Sequence, residues 1–290
     1  MIKYIVKADA KRQLAKDYLK KCEGISSSLW KKIKRYDNFF VNGEKIRATQ
    51  AFVEPNDIIT YEIPANSKVI PVDIPLNIIF EDEFMLIADK PAGMLTHPLT
   101  FEAENTLANG VMYHFGQTNQ QIGCHPLYRL DRNTSGLVVF AKLPQLQAQL
   151  ANNHQSFQRF YYAFVEGNLT SSEGTIDAPI GRAENSIILH KVSYDETAKH
   201  AITHYRVVKA YEQYSLVELW LETGRTHQIR VHMSYLGHPL LGDDLYGGKC
   251  DLITRHALHA YKLQFTHPFT QQKLMFTSKM PEDMQKLLKY

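Results

Sequence analysis

An aspartate set between two arginines carries the strongest chemical signal in this chain. The run Tyr128-Arg129-Leu130-Asp131-Arg132-Asn133-Thr134-Ser135-Gly136 leads at once into the apolar stretch Leu137 to Ala141, which reads as a buried strand. A carboxylate at the mouth of a core strand is expensive to desolvate unless a cation or several donors meet it. Here guanidinium groups flank Asp131, and Thr134 and Ser135 add donors. That is the setting of a working acid, able to attack a carbon centre or to take a proton. Arg129 stands two residues before Asp131, so in an extended turn both side chains leave on the same side. Tyr161 sits in a second suggestive run, Arg159-Phe160-Tyr161-Tyr162-Ala163-Phe164. Taken alone, an aromatic strand residue reads first as core. Alternation nevertheless places Tyr161 on the face opposite Phe160 and Tyr162.

Other chemistries fit less well. His227 and His232 are five apart, and His256 and His259 three apart, with no HExxH and no paired cysteines, so no metal is expected. Gly247-Gly248-Lys249-Cys250 lacks the residues of a phosphate-binding Walker loop, and Ser28-Leu29-Trp30-Lys31 lacks the companions of a β-lactamase motif. Asp243-Asp244 offers a second carboxylate of the kind glycoside hydrolysis needs.

The elements that must hold these groups are strand-rich. Strands are expected over Ile78–Phe80, Met85–Asp89, Leu137–Ala141, Tyr161–Val165, Ile202–Val208 and Tyr214–Leu221. Helices are expected over Thr106–Tyr113, Pro144–Asn153, Gln228–Tyr235 and Pro281–Leu288. The two kinds do not alternate regularly, so the fold class is α+β. Ahead of them, residues 1–63 read as a small domain. Ala10, Leu14, Tyr18 and Cys22 recur at helical spacing. Ser26, Ser27 or Ser28 can cap a second helix over Leu29–Arg35 that carries Lys31, Lys32, Lys34 and Arg35. Asn42-Gly43 signals a hairpin, and a last strand runs over Ile58–Ile63. Residues 64–75, with Pro64, Pro71 and Pro75, read as a linker to a larger domain over 76–290.

Charge is distributed unevenly. The net charge is only +3, but residues 1–50 carry +8, residues 51–100 carry −6 and the remainder +1. A basic leading segment points to phosphate contacts. No apolar run is long enough to span a membrane, and the N-terminus lacks the features of a signal peptide. Three widely spaced cysteines, Cys22, Cys124 and Cys250, fit a reducing cytoplasm.

These runs also carry a family resemblance. Arg129 to Gly136 resembles the Arg-Leu-Asp-x-x-Thr-Ser-Gly signature of the RluA/RluD-type pseudouridine synthases. Asp89 to Pro98 resembles the family's first motif and Arg159 to Gly167 its tyrosine motif. Gly224 to Met233, continued by Leu236 to Leu240 and Gly242 to Gly248, resembles its third. Two departures stand out: Tyr128 where histidine is usual, and Asn133 where aspartate is common. The resemblance implies a mixed, mainly antiparallel sheet with a central cleft, and isomerisation of uridine to pseudouridine in structured RNA without cofactor or metal. It implies Asp131 as the catalytic aspartate, Arg225 as its paired cation and Tyr161 as the platform for the uracil. Arg129 would fill the space left by a flipped nucleotide. Leu95, Ile229 and Leu240 are motif residues expected to wall the pocket. The two basic helices and Val41-Asn42-Gly43-Glu44-Lys45 resemble an S4 RNA-binding domain. The expected partner is ribosomal RNA of the large subunit, with transfer RNA second, and the expected state a cytoplasmic monomer. An inactive RNA-binding or ribosome-assembly protein on the same scaffold is the competing reading. An N-glycosidase is another, and would release uracil.

Overall fold

The computed structural model describes residues 2–62, 69–99, 104–120, 122–143, 157–184, 186–267 and 269–289. The helix expected over Pro144–Asn153 and the first residues of the proline-rich segment, 64–68, lie outside these.

The leading residues build a small sheet against two helices. In chain order they are β1 (Ile2–Ile5), β2 (Gln13–Leu14), α1 (Ala15–Lys21), α2 (Ser27–Tyr36), β3 (Phe39–Val41), β4 (Glu44–Lys45), β5 (Phe52–Val53) and β6 (Ile58–Tyr61). The sheet order is β1-β6-β3-β4, and β2 pairs separately with β5. Asn42 and Gly43 both take positive φ, 51° and 85°, the two-residue turn that Asn-Gly favours. The Ser26 side chain accepts from the Leu29 amide at 3.1 Å and so caps α2. The apolar side of α2 buries Leu29, Trp30 and Ile33, while Lys31, Lys32, Lys34 and Arg35 are exposed. Helical spacing overreached at Ala10 and Leu14: Leu14 pairs with Phe52 in β2, and α1 starts only at Ala15. Strand β1, unanticipated, pairs with β6 and sends Tyr4 inward against Tyr61.

The larger body begins with β7 (Asn77–Glu81), β8 (Met85–Lys90), α3 (Leu107–Gln117), β9 (His125–Pro126) and β10 (Ser135–Ala141). There follow β11 (Phe157–Glu166), β12 (Glu173–Asp177), β13 (Ile180–Arg182), β14 (His190–Val192), β15 (Ile202–Ala210) and β16 (Tyr214–Leu221). Last come α4 (Gln228–Tyr235), β17 (Leu258–Thr266), β18 (Lys273–Thr277) and α5 (Glu282–Lys286). The main sheet runs β12-β15-β16-β11-β17-β10-β8-β7, with β18 attached to β17 and β9 to β10, while β13 and β14 form a separate hairpin. Among the described strands, only the β10–β17 pair is parallel. The sheet is mixed and mainly antiparallel, as the resemblance implied, and the fold class is α+β.

All seven residues of β10 are buried, which explains its unbroken apolar run. β11 crosses the middle of the sheet between β16 and β17. Tyr161, Ala163 and Val165 join one core with Val217, Leu219 and Leu258. Phe164 joins another on the opposite face, with Tyr214 and Leu216. The alternation read from the sequence therefore separates Tyr161 from Tyr162. A register shift against β17 falls between Phe160 and Tyr161, beside the site described next. Among the described residues, no helix is long and apolar enough to cross a membrane.

Candidate active site

The turn that carries Asp131 is tied down from several sides. The Thr134 amide donates to the Asp131 carbonyl at 3.1 Å. Thr96 Oγ1 accepts from the Leu130 amide and donates to the Leu130 carbonyl, both at 3.1 Å. Lys90 is 1% exposed and directs its ammonium to the carbonyls of Pro91, Met94 and Arg132, at 2.9, 2.7 and 3.0 Å. Burial pulls the Lys90 pKa down to about 7, opposed chiefly by the nearby Asp131 charge. Arg255 Nη1 donates to the Asn133 carbonyl at 2.9 Å, while the rest of its fork holds Asp283 at 2.6 and 3.0 Å.

The Thr-Ser-Gly part of the motif has a local explanation. Thr134 Oγ1 meets His256 Nε2 at 2.8 Å, and Ser135 Oγ meets His259 Nδ1 at 3.0 Å. Gly136 has φ of 115°, and a Cβ there would lie 2.3 Å from the Ala260 carbonyl oxygen. The parallel contact between β10 and β17 exists only because residue 136 has no side chain. Three small residues thus seat the turn on β17 and the residues just before it, and the aspartate projects from a rigid base.

Asp131 is partly exposed, 28% by side chain, at the edge of a cavity of about 900 Å³. Arg129, Tyr161, Leu95 and Ile229 line the same cavity. Arg129 is exposed and Tyr161 buried. Burial raises the Tyr161 phenol pKa, with Arg159 opposing the rise and Asp131 adding to it, so the group keeps its proton at neutral pH.

The cation beside Asp131 is Arg230, not Arg225. Arg230 is 7% exposed and lies on α4. Its Nε and Nη2 each donate to the Asp243 carboxylate at 2.7 Å, and its Nη1 donates to Asp131 Oδ2 at 3.3 Å. Asp243 is fully buried, so the pair is desolvated and held in bidentate geometry. The remaining arm faces Asp131 with little freedom left. Arg230 also lies over the Tyr246 ring, 4.9 Å from its centroid. Asp243, the residue that offered a glycosidase its second carboxylate, is thereby committed to Arg230.

Arg225 lies on the exposed turn ahead of α4. Its amide donates to Gln228 Oε1 at 2.9 Å and its Nε to the His200 carbonyl at 2.9 Å. It lines the cavity, but it makes no ion pair with Asp131. The Arg225 side chain is held at the His200 carbonyl, whereas the first turn of α4, which carries Arg230, is buried. The sequence held one usable hint, since Arg230 falls in the first turn of the expected helix, which follows directly on His227. His227 Nε2 lies 3.8 Å from Asp131 Oδ1, and its Nδ1 meets the Tyr246 hydroxyl at 2.8 Å. Burial lowers the His227 pKa, against the pull of Asp131, and Arg230 and His190 push the same way as burial.

Leu240 is the second correction. It is fully buried in the core and bridges Val165 through its backbone, so it does not wall the cavity. Leu258, Leu130 and Leu221 line the cavity instead, together with Leu95 and Ile229. A motif places a residue near a site without saying which way its side chain turns. Lys31, Lys32, Lys34 and Arg35 are not among the cavity-lining residues. They stand on the exposed side of α2, and Lys32 is close enough to add to the burial that, with His97, takes the pKa of His125 down to about 4.

Comparison with known proteins places this geometry. Residues 84–235 match the RNA pseudouridylate synthase family. A Bacillus subtilis protein described as an uncharacterized RNA pseudouridine synthase is 40% identical over 254 residues, covering 86% of this chain and 89% of that protein. A Zymomonas mobilis protein named ribosomal large subunit pseudouridine synthase D is 40% identical over 266 residues, covering 85% and 83%. Human RNA pseudouridylate synthase domain containing 4 shares the fold, with a TM-score of 0.59, 23% identity, and 73% and 92% of the two chains covered. With a matched family model across the Asp131 turn and relatives of this similarity along most of its length, the chain belongs to the RluA/RluD-type RNA pseudouridine synthases.

Proposed function

We propose that the chain isomerises specific uridines of large-subunit ribosomal RNA, with Asp131 as the catalytic carboxylate. The observation that carries this reading is the array Asp131–Arg230–Asp243 at the wall of a cavity that also presents Tyr161. Arg230 holds Asp131 in a fixed direction, because its other two nitrogens are already fixed on a buried carboxylate. Tyr161 offers its ring to the uracil, and its protonated phenol gives the platform a polar tip. Leu95, Ile229 and Leu258 supply apolar walls that retain a detached base. Arg129, exposed beside Asp131, is placed to fill the gap left by a flipped nucleotide. Arg225, exposed on the rim, is suited to a phosphate rather than to Asp131. The choice of ribosomal RNA rests on relatives named for the large subunit.

Residues 1–63 serve in this reading as an S4-like RNA-binding domain. Support comes from their own hydrophobic cluster, drawn from residues 4 to 61, and from the exposed basic face of α2. The S4 order begins here with an extra strand, β1, rather than with the helices.

Mapping pseudouridine in RNA from cells with and without the gene tests the function. One or more large-subunit positions are expected to revert to uridine. Changes confined to transfer RNA would transfer the target there, and an unchanged map would leave an inactive scaffold. Removing residues 1–63 is expected to weaken RNA binding while sparing the chemistry at saturating RNA. Every phosphate that the shortened protein no longer neutralises should lower the log–log salt slope by roughly 0.7–0.9. Equal slopes for the two proteins would make the basic segment a solvated face only.

A further inference from the structure

Among the described residues, Arg159 is a buried cation without an anion. It is 9% exposed, and its Nε is buried with no hydrogen-bond partner among those residues. Its one hydrogen bond among the described residues is a long one, from Nη2 to the Thr223 carbonyl at 3.3 Å. No carboxylate pairs with it among those residues, whereas the other buried arginines, Arg230 and Arg255, each grip an aspartate. Desolvating a guanidinium without compensation is costly, so the position is worth holding only if a negative charge arrives there.

The surroundings keep that charge in place. The guanidinium lies over the Tyr128 ring, 5.0 Å from its centroid, and the Tyr128 hydroxyl is fixed on the Leu137 carbonyl at 2.8 Å. Tyr128 is one of the two departures from the family pattern, so this chain has an aromatic face under Arg159 where a histidine is usual. Gly224 leaves the room: a Cβ there would come within 3.3 Å of Nη1. Arg159 stands two residues before Tyr161 on β11 and lines the same cavity. It is near enough to hold back the rise that burial imposes on the Tyr161 phenol.

Resting on the proposed reading of Tyr161 as the platform for the uracil, we propose that Arg159 is a catalytic residue that stabilises the detached uracil anion by donating to its O2 or O4. The N1–C1′ bond breaks with its electron pair retained by the base, and the charge spreads over N1, O2 and O4. The base turns, and the delocalised pair forms the C5–C1′ bond. C5 then gives up its proton and N1 takes one up, so atoms and charge balance without a further reactant. A phosphate is the less suitable anion, because Arg129, Arg132 and Arg225 already stand exposed at the rim where the backbone would run.

The test compares Arg159→Met, which keeps the apolar stem, with Arg159→Lys, which keeps the charge. A large-subunit transcript that the wild-type protein modifies is used under single turnover, with RNA affinity and thermal unfolding measured alongside. Removing one preorganised donor from a developing anion costs about 100-fold or more in rate. Arg159→Met is expected to lose that much at saturating RNA, with affinity within about threefold, and Arg159→Lys to recover to within about tenfold of wild type. Affinity that falls tenfold in Arg159→Met with an unchanged saturated rate would make the residue a phosphate contact and overturn the proposal. Unchanged rate and affinity, or loss of cooperative unfolding in both variants, would also overturn it. Wild-type protein that modifies no uridine would instead sink the reading of the site as a whole.

Discussion

Replacing Asp131 with asparagine is expected to abolish pseudouridine formation, by about four orders of magnitude or more at saturating RNA, while RNA affinity stays nearly intact. Four orders correspond to about 5.4 kcal/mol of lost transition-state stabilisation. The substitution keeps the shape of the side chain and its place on the turn, since the ties to Thr96, Lys90 and Thr134 run through backbone groups of residues 130 to 132. It removes the charge that faces Arg230 Nη1. An amide can neither attack the sugar as a carboxylate does nor accept a proton from it usefully. Release of the C5 hydrogen from a labelled transcript, followed under single turnover, reads the result. Turnover within about tenfold of wild type would remove Asp131 from the chemistry.

Arg230 carries the second large effect. Arg230→Ala is expected to be nearly inactive and less stable. Breaking a buried ion pair by removing one partner costs about 3–5 kcal/mol, and here it strands Asp243, which is fully buried. Arg230→Lys is the sharper experiment. An ammonium keeps the charge but cannot hold Asp243 in bidentate geometry and reach Asp131 at the same time. A loss of about 100-fold or more in saturated rate is expected for Arg230→Lys, whereas Arg225→Ala should stay within about tenfold of wild type. The same assay and a melting curve on each variant decide the matter. An Arg225→Ala protein as inactive as Arg230→Ala would return the paired role to the exposed arginine.

The confusion between these two arginines shows where reading a sequence stops. Gly224-Arg225-Thr226-His227-Gln228-Ile229-Arg230 offers two guanidinium groups within one motif, and helical periodicity correctly starts α4 at Gln228. Yet the choice between them depends on His227, which takes φ of 55° and sets the direction in which α4 leaves the turn. It depends also on Asp243, whose burial and bidentate grip select Arg230. Leu240 failed for a similar reason, because its backbone bridges Val165 and turns its side chain into the core. Arg159 drew no attention as a lone cation, because a missing partner is invisible until every neighbour is in place.

What the amino-acid order determined by itself is the local layer. Apolar runs and alternation gave the β10 and β16 strands, Asn42-Gly43 gave a turn, and the serines Ser26 to Ser28 gave a helix cap, since propensity and side-chain spacing act over a few residues. The setting of Asp131 was legible for the same reason, because Asp131 and the small residues that seat its turn are neighbours in the chain. The tertiary structure decided everything that needs two distant segments. Asp131 and Arg230 are 99 residues apart and Thr134 and His256 are 122 apart, and only the packed fold brings them together. A carboxylate's partner is the cation whose rigid support points at it in a desolvated space, and that direction is a property of the packed fold rather than of the spacing.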